Sequence, residues 1–204
     1  MDKHLNQTVH QGRIIGKRSS KNITSFILET TKSNDGKYKN NIRIICFGQI
    51  AENMKRFKTG DFVKVIGHGE TIDVKDSDGK YVKTSQDIVA DIVEKASSPL
   101  DELEAKASVP IYDKKNEFKI AGTLVRIQKH GKKWIFTILT ADGGKANHIL
   151  VSMREYPHNE GYLNSLEIKD NLYLSGTIQS QAKETKSGKH YIEEWVGYEI
   201  ATLE

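Results

Sequence analysis

Residues 41–61 constrain this chain more than any other stretch. Ile42, Ile44 and Cys46 alternate with Arg43, Ile45 and Phe47, the period of two expected of a strand with one face in a core. Gly48 ends the alternation, and Ile50, Met54 and Phe57 then fall at i, i+4 and i+7, one stripe of a short helix. Lys58-Thr59-Gly60-Asp61 closes that helix with a late cation and a glycine suited to a left-handed turn. A new apolar strand, Phe62-Val63-Lys64-Val65-Ile66-Gly67, begins at once. Strand, short helix, turn and strand in this order form the middle of a five-stranded Greek-key barrel, the helix plugging it between strands 3 and 4.

The flanking residues supply the other three strands. Thr8 to Ile15 reads as a strand with Gly12 at a bend, and Lys17 to Asn22 as a basic polar turn. Thr24 to Thr30 alternates again, with Phe26 and Leu28 inward. A charged loop with Asn34-Asp35-Gly36 leads into the organising stretch, strand 4 runs on to Val74, and Asp76-Ser77-Asp78-Gly79 turns the chain into strand 5, Tyr81 to Val93. From Glu94 to Asn116 the pattern dissolves into a Ser- and Pro-bracketed linker.

The second half of the chain repeats the first. One spacing separates Gly12 from Gly122 and Phe26 from Phe136; further on Asp61 matches Asp170, Gly67 matches Gly176, and Gly79-Lys80-Tyr81 matches Gly188-Lys189-His190-Tyr191. Strands are expected at Phe118–Gln128, Trp134–Thr140, Ala146–Met153, Asn171–Ser180 and His190–Ile200. The connection from Arg154 to Lys169 holds Pro157 and Gly161 and has room for only a short, late helical turn. The domain expectation is residues 1–95, a linker over 96–116, and residues 117–204.

Composition narrows the function. The net charge of +4 has the sign of a nucleic-acid binder but a modest size, so local clustering of cations must supply the rest. Cys46 has no partner cysteine and sits in an apolar pattern, as a buried small hydrophobe does. No Cys/His cluster has zinc spacing, and no phosphate loop, HExxH or CxxC is present. Asp76 and Asp78 need nothing beyond a hairpin tip to explain them. No cofactor, metal or enzymatic activity is therefore expected. Lacking a signal peptide or an apolar run of the roughly 18 residues that span a bilayer, the chain is expected to be cytoplasmic, with no membrane partner.

Residues that leave the core carry the case for binding. In the last strand Ile192, Val196, Tyr198 and Ile200 share one face, read as inward, which turns Tyr191, Glu193, Trp195 and Gly197 outward. In the first copy Val82, Ile88, Ala90 and Ile92 face in, and Tyr81 and Lys83 face out. Arg43 and Phe47 lie opposite the core set of their strand. Cations recur in the loops: Lys17, Arg18 and Lys21; Lys129, Lys132 and Lys133 beside Trp134; Lys183, Lys186 and Lys189. An aromatic beside a cation suits a single strand, whose bases stack for roughly 1–3 kcal/mol each and whose phosphates need neutralising. Each residue also has a plainer reading. Lysine-rich tips can simply be solvated, Phe47 and Trp134 can complete the core, and Trp195 can sit in an oligomer interface.

Ile-Cys-Phe-Gly-Gln-Ile-Ala-Glu followed by Lys-Thr-Gly-Asp-Phe-Val-Lys-Val-Ile-Gly resembles the bacterial single-stranded DNA-binding protein family. In the first copy the likeness runs over Gly12–Gly16, Ile42–Gly67 and Asp76–Tyr81; the second copy shares element order and glycines only. The resemblance implies an OB fold and puts Arg43 and Phe47 in the places of a DNA-contacting arginine and a stacking phenylalanine. The family's tryptophan two residues before that arginine is Asn41 here, and another in the strand 4–5 hairpin is Val74. The family's acidic C-terminal tail, which docks repair enzymes, has no counterpart before Glu204. Replication or recombination proteins would therefore be met by another route. One-barrel members commonly form tetramers, so a two-barrel chain is expected to be a homodimer; a tailless tandem version also resembles accessory proteins of phages and mobile elements.

The expectation is an all-β chain with short helices, two tandem five-stranded OB-type Greek-key barrels, binding single-stranded DNA without sequence preference during replication or recombination. Its expected contacts are Lys17, Arg18, Arg43, Phe47, Tyr81, Lys83, Lys132, Lys133, Trp134, Lys186, Lys189, Tyr191 and Trp195. A protein–protein adaptor and an RNA-binding barrel are the rivals.

Overall fold

A computed structural model of the chain describes residues 4–31, 39–75, 78–79, 81–96, 116–142, 145–185 and 188–203. The first five strands are β1 (Leu5–Ser19), β2 (Ile23–Thr31), β3 (Lys39–Phe47), β4 (Phe62–Lys75) and β5 (Tyr81–Lys95). Antiparallel pairs β1–β2, β2–β3, β4–β5 and β1–β4 are closed by the parallel pair β3–β5, so no edge remains in the barrel. Helix α1 (Gly48–Asn53) and a 3-10 turn (Met54–Arg56) lie between β3 and β4, and Ala51, Met54 and Phe57 are buried as the plug. Cys46 is buried in the core, where loss of hydration pushes its thiol up to about 12.

The second half repeats this design with β6 (Asn116–His130), β7 (Lys133–Asp142), β8 (Lys145–Arg154), β9 (Asn171–Thr185) and β10 (Gly188–Thr202), closed by the parallel pair β8–β10. Its helix α2 (Glu160–Ser165) is short and late, as the Pro157 and Gly161 spacing suggested. The repeated glycines share one cause. A β-carbon at Gly12 would stand 2.2 Å from the Glu29 carbonyl oxygen, and one at Gly122 the same distance from that of Leu139. Only glycine lets the first strand of each barrel cross so close to its neighbour. The strands run longer than their apolar patterns, and Lys17, Arg18 and Ser19 belong to β1 rather than to the following turn. The loop around Asn34-Asp35-Gly36, most of the linker expected over 96–116, and the Gly143-Gly144 and Lys186-Ser187 turns lie outside the described residues.

The barrels are joined through β1 and β6, which pair antiparallel from Leu5–Ala121 to His10–Asn116. Thr8 lies opposite Phe118, and each has the same neighbour in its own barrel, Gly67 or Gly176. The repeat thus pairs with itself about an internal two-fold axis, the arrangement of an isologous dimer. Interface hydrogen bonds come in matched pairs. Asn40 Oδ1 accepts from the Ser180 N–H at 2.6 Å, as Asn147 Oδ1 does from Thr71 at 3.4 Å. The Asn41 N–H donates to Ser180 Oγ at 2.9 Å, and the His148 N–H to Thr71 Oγ1 at 3.0 Å. Gln86 grips the Leu150 backbone with both amide atoms, and Glu193 accepts from the Arg43 N–H in the mirrored position. One buried apolar cluster runs through both barrels.

Candidate nucleic-acid interface

On the first barrel the outward face of β2–β3 ends in an apolar corner. Ile23 pairs with Phe47, and both side chains are exposed, Phe47 to 40%. Arg18, opposite Ser25 in the register, and Lys21, in the β1–β2 turn, stand exposed at the same corner. In the 3-10 turn that follows α1, Lys55 is paired with Glu52 at 2.6 Å and Arg56 lies over the Phe57 ring, so the charge at this corner comes from Arg18 and Lys21. An aromatic ring beside solvated cations is thus present here.

The equivalent region of the second barrel is built differently. Trp134 occupies the inward position that Thr24 holds in the first barrel; it is only 6% exposed and stacks on Phe136 at 6.1 Å. Its Nε1 donates to Glu155 Oε2 at 2.8 Å, and Lys129 Nζ lies 4.6 Å from the ring centroid while pairing with Glu155 at 2.6 Å. Those hydrogen bonds, from Lys129 first and Trp134 second, hold the Glu155 carboxyl below the usual carboxylate range. Of the open choices for Trp134, the core is the one realised.

Trp195 corrects the face assignment of the last strand. It is 3% exposed, with its ring 5.1 Å from Phe118, whereas Ile192 and Tyr198 on the supposed inner face are exposed, Tyr198 to 61%. The reversal has two causes. Both faces of β10 carry large apolar side chains, and the first barrel packs on the face of Glu193 and Trp195 rather than on that of Ile192 and Tyr198; a bulge between Gly197 and Glu199 also shifts the alternation. A matching shift opposite Gly67 leaves Ile92 exposed, although Ile88 and Ala90 are buried as expected.

Several cations are engaged within the protein. Lys17 donates to the carbonyls of Met54 at 3.0 Å and Phe57 at 2.7 Å, closing the plug's C-terminal end instead of standing in a binding loop. Arg43 is half-exposed, but its guanidinium is paired with the buried Asp87. Lys133 is paired with Glu194, whose carboxyl stays below its usual range despite burial because Lys133 and Ser152 hydrogen-bond to it. Lys132 is exposed. Tyr81, Val82, Lys83, Lys189 and Tyr191 lie on β5 and β10 with side chains outside the described residues, as is Lys186 altogether. Unforeseen in the sequence is an exposed column at the end of β8 and just beyond it, where Arg154, Tyr156 and His158 stack. Its signal was the alternation of planar side chains continuing past the end of the strand.

No protein-family model matches the sequence, and no curated protein matches it either. Solved structures do. The single-stranded DNA-binding protein from Thermus aquaticus, as a deletion mutant with one further arginine-to-alanine substitution, superposes with a TM-score of 0.70 over 100% of this chain and 96% of its own, at 14% identity. This chain has that fold. The wild-type Thermus aquaticus protein agrees, with a TM-score of 0.65 over 98% of this chain and 94% of its own, again at 14% identity. Because each likeness spans the whole chain, it covers the tandem arrangement as well as the single OB barrel. Among the described residues no helix is long and apolar enough to cross a membrane, and no cluster of His, Cys, Asp and Glu could hold a metal ion.

Proposed function

We propose that this chain binds single-stranded DNA without sequence preference, as a non-enzymatic factor of replication or recombination. The observation that carries the reading is the Ile23–Phe47 corner beside Arg18 and Lys21. A free aromatic face with neighbouring cations meets the two needs of an unpaired strand, stacking and phosphate neutralisation. The full-length likeness to proteins named for single-stranded DNA binding supports it. Binding acts passively, lowering the free energy of the unpaired strand and so opposing reannealing and nuclease access. The internal two-fold axis supplies within one chain what a pair of one-barrel chains makes between them, and a homodimer would then bring four barrels together.

The adaptor reading draws on a different observation. Arg43, Lys129 and Lys133 are neutralised by carboxylates, which reduces the charge available to phosphates. One experiment separates the two. Fluorescence anisotropy of a labelled dT oligomer, competed with duplex DNA and poly-U at two salt concentrations, should report salt-sensitive binding that duplex competes poorly. Absence of binding to all three would leave the adaptor. Intrinsic tryptophan fluorescence is a poor reporter, since both rings are buried.

A further inference from the structure

The geometry points to a separate base-stacking platform on the second barrel, formed by Arg154, Tyr156 and His158 where the chain leaves β8; this rests on the single-strand reading above. Three planar groups alternate along this segment. The rings of Tyr156 and His158 are 5.5 Å apart and within 7° of parallel, and the Arg154 guanidinium lies 5.7 Å over the Tyr156 ring. All three are exposed, Tyr156 to 47%. The residue between the first two, Glu155, turns the other way to meet Trp134 and Lys129, and this alternation aims its neighbours outward.

The backbone that carries the column is tied down by hydrogen bonds. Asn159 Oδ1 accepts from the Tyr156 N–H at 2.7 Å, and Asn159 Nδ2 donates to the Arg154 carbonyl at 3.1 Å. The Tyr156 carbonyl accepts from the N–H groups of Asn159 and Glu160 at 3.1 and 3.0 Å, and the Glu155 N–H donates to the Lys132 carbonyl at 2.8 Å. A backbone already held in place spares a ligand the entropy of ordering this segment. Exposed Lys132 stands beside it, and Arg154 supplies a charge within the column itself. The ligand class is set by this chemistry. A flat, electron-rich unpaired base extends a column of planar groups, and its phosphate falls within reach of cations. Counting along the matched strands β3 and β8, Arg154 takes the place of Phe47. The second barrel therefore presents its aromatic two residues later, at the same rim.

The test compares the full chain with Tyr156→Ala, Tyr156→Phe and Phe47→Ala, titrating a labelled dT oligomer by anisotropy and checking thermal midpoints. Tyr156→Ala should weaken binding by roughly 5- to 150-fold with an unchanged midpoint, and Tyr156→Phe should bind as the parent does. Parent-like binding by Tyr156→Ala, alongside a loss in Phe47→Ala, would overturn the platform and leave the single-strand reading standing. No binding by the parent chain would overturn both.

Discussion

Trp195 of the second barrel lies directly on Gly69 of the first: a β-carbon at residue 69 would come within 2.7 Å of the Trp195 Cη2 atom. The internal two-fold axis gives this contact a counterpart. Val89 and Val196 hold the same place in the two parallel pairs, so Ile88 stands where Trp195 does. Gly67 and Gly176 match likewise, so Ile178 stands where Gly69 does. One side of the axis fills its volume with a large and an absent side chain, the other with two of middle size.

That relationship predicts a non-additive pair. Gly69→Ile alone should overfill the interface, and Trp195→Ile alone should leave a cavity, each at about 2–4 kcal/mol. The double variant, which recreates the Ile–Ile pair, should recover at least about 1 kcal/mol of the summed loss in a denaturant double-mutant cycle. Strict additivity would mean the two sites do not share volume.

A second prediction concerns Glu193. Burial pushes its carboxyl up to about 7, against hydrogen bonding from the Arg43 N–H. The folded chain therefore holds a proton that the unfolded chain releases near 4.5, and this group's contribution to stability falls as pH rises from there to about 7. Gln86 fills the mirrored position without a titrating group. Glu193→Gln should flatten this window and raise the melting temperature above pH 7; an unchanged pH profile would contradict the assignment.

His10 works in the opposite direction. Burial pulls it down to about 4, only partly offset by Asn116. The unfolded chain binds a proton near 6.5 that the folded chain refuses, so stability is lost as pH falls from about 6.5 to 4. The second barrel has Ile120 in the matching position, as the registers with β4 and β9 show. His10→Ile should remove most of this acid sensitivity in urea melts at pH 5 and 7, while equal loss in both chains would show that other groups dominate.

Lys169 is the non-glycine residue with positive φ among those described, at 86°, where the first barrel has Gly60 at 100°. Both serve one turn: Gly60 N–H donates to the Ile14 carbonyl and Lys169 N–H to the Leu124 carbonyl, each at 2.8 Å. Lys169→Gly should therefore stabilise the chain by about 1 kcal/mol by chemical denaturation, the relief of left-handed strain exceeding the entropy that glycine adds to the unfolded state.

For binding, Phe47→Ala should cost roughly 1–3 kcal/mol of affinity for a dT oligomer with little effect on folding, because the ring is already half in water. Arg43→Ala should lower stability more than affinity, since it strips the buried Asp87 of its partner. Retained stability with weakened, less salt-dependent binding would return Arg43 to the phosphate-contacting role.

The amino-acid sequence by itself determined the barrel and its duplication. The change of period at Gly48, the plug residues Met54 and Phe57, and the paired Gly12 and Gly122 are local or periodic signals, written wherever backbone geometry or one buried face dictates residue type. Tertiary structure alone decided how the two copies meet and which cations remain free. The inward Trp195 has room for its ring because the other barrel lacks a side chain at Gly69, and Arg43 is met by Asp87 and Glu193, far away in sequence. Alternation separates the two faces of a strand but cannot tell which is covered when both carry large apolar side chains and the covering residues come from the other barrel.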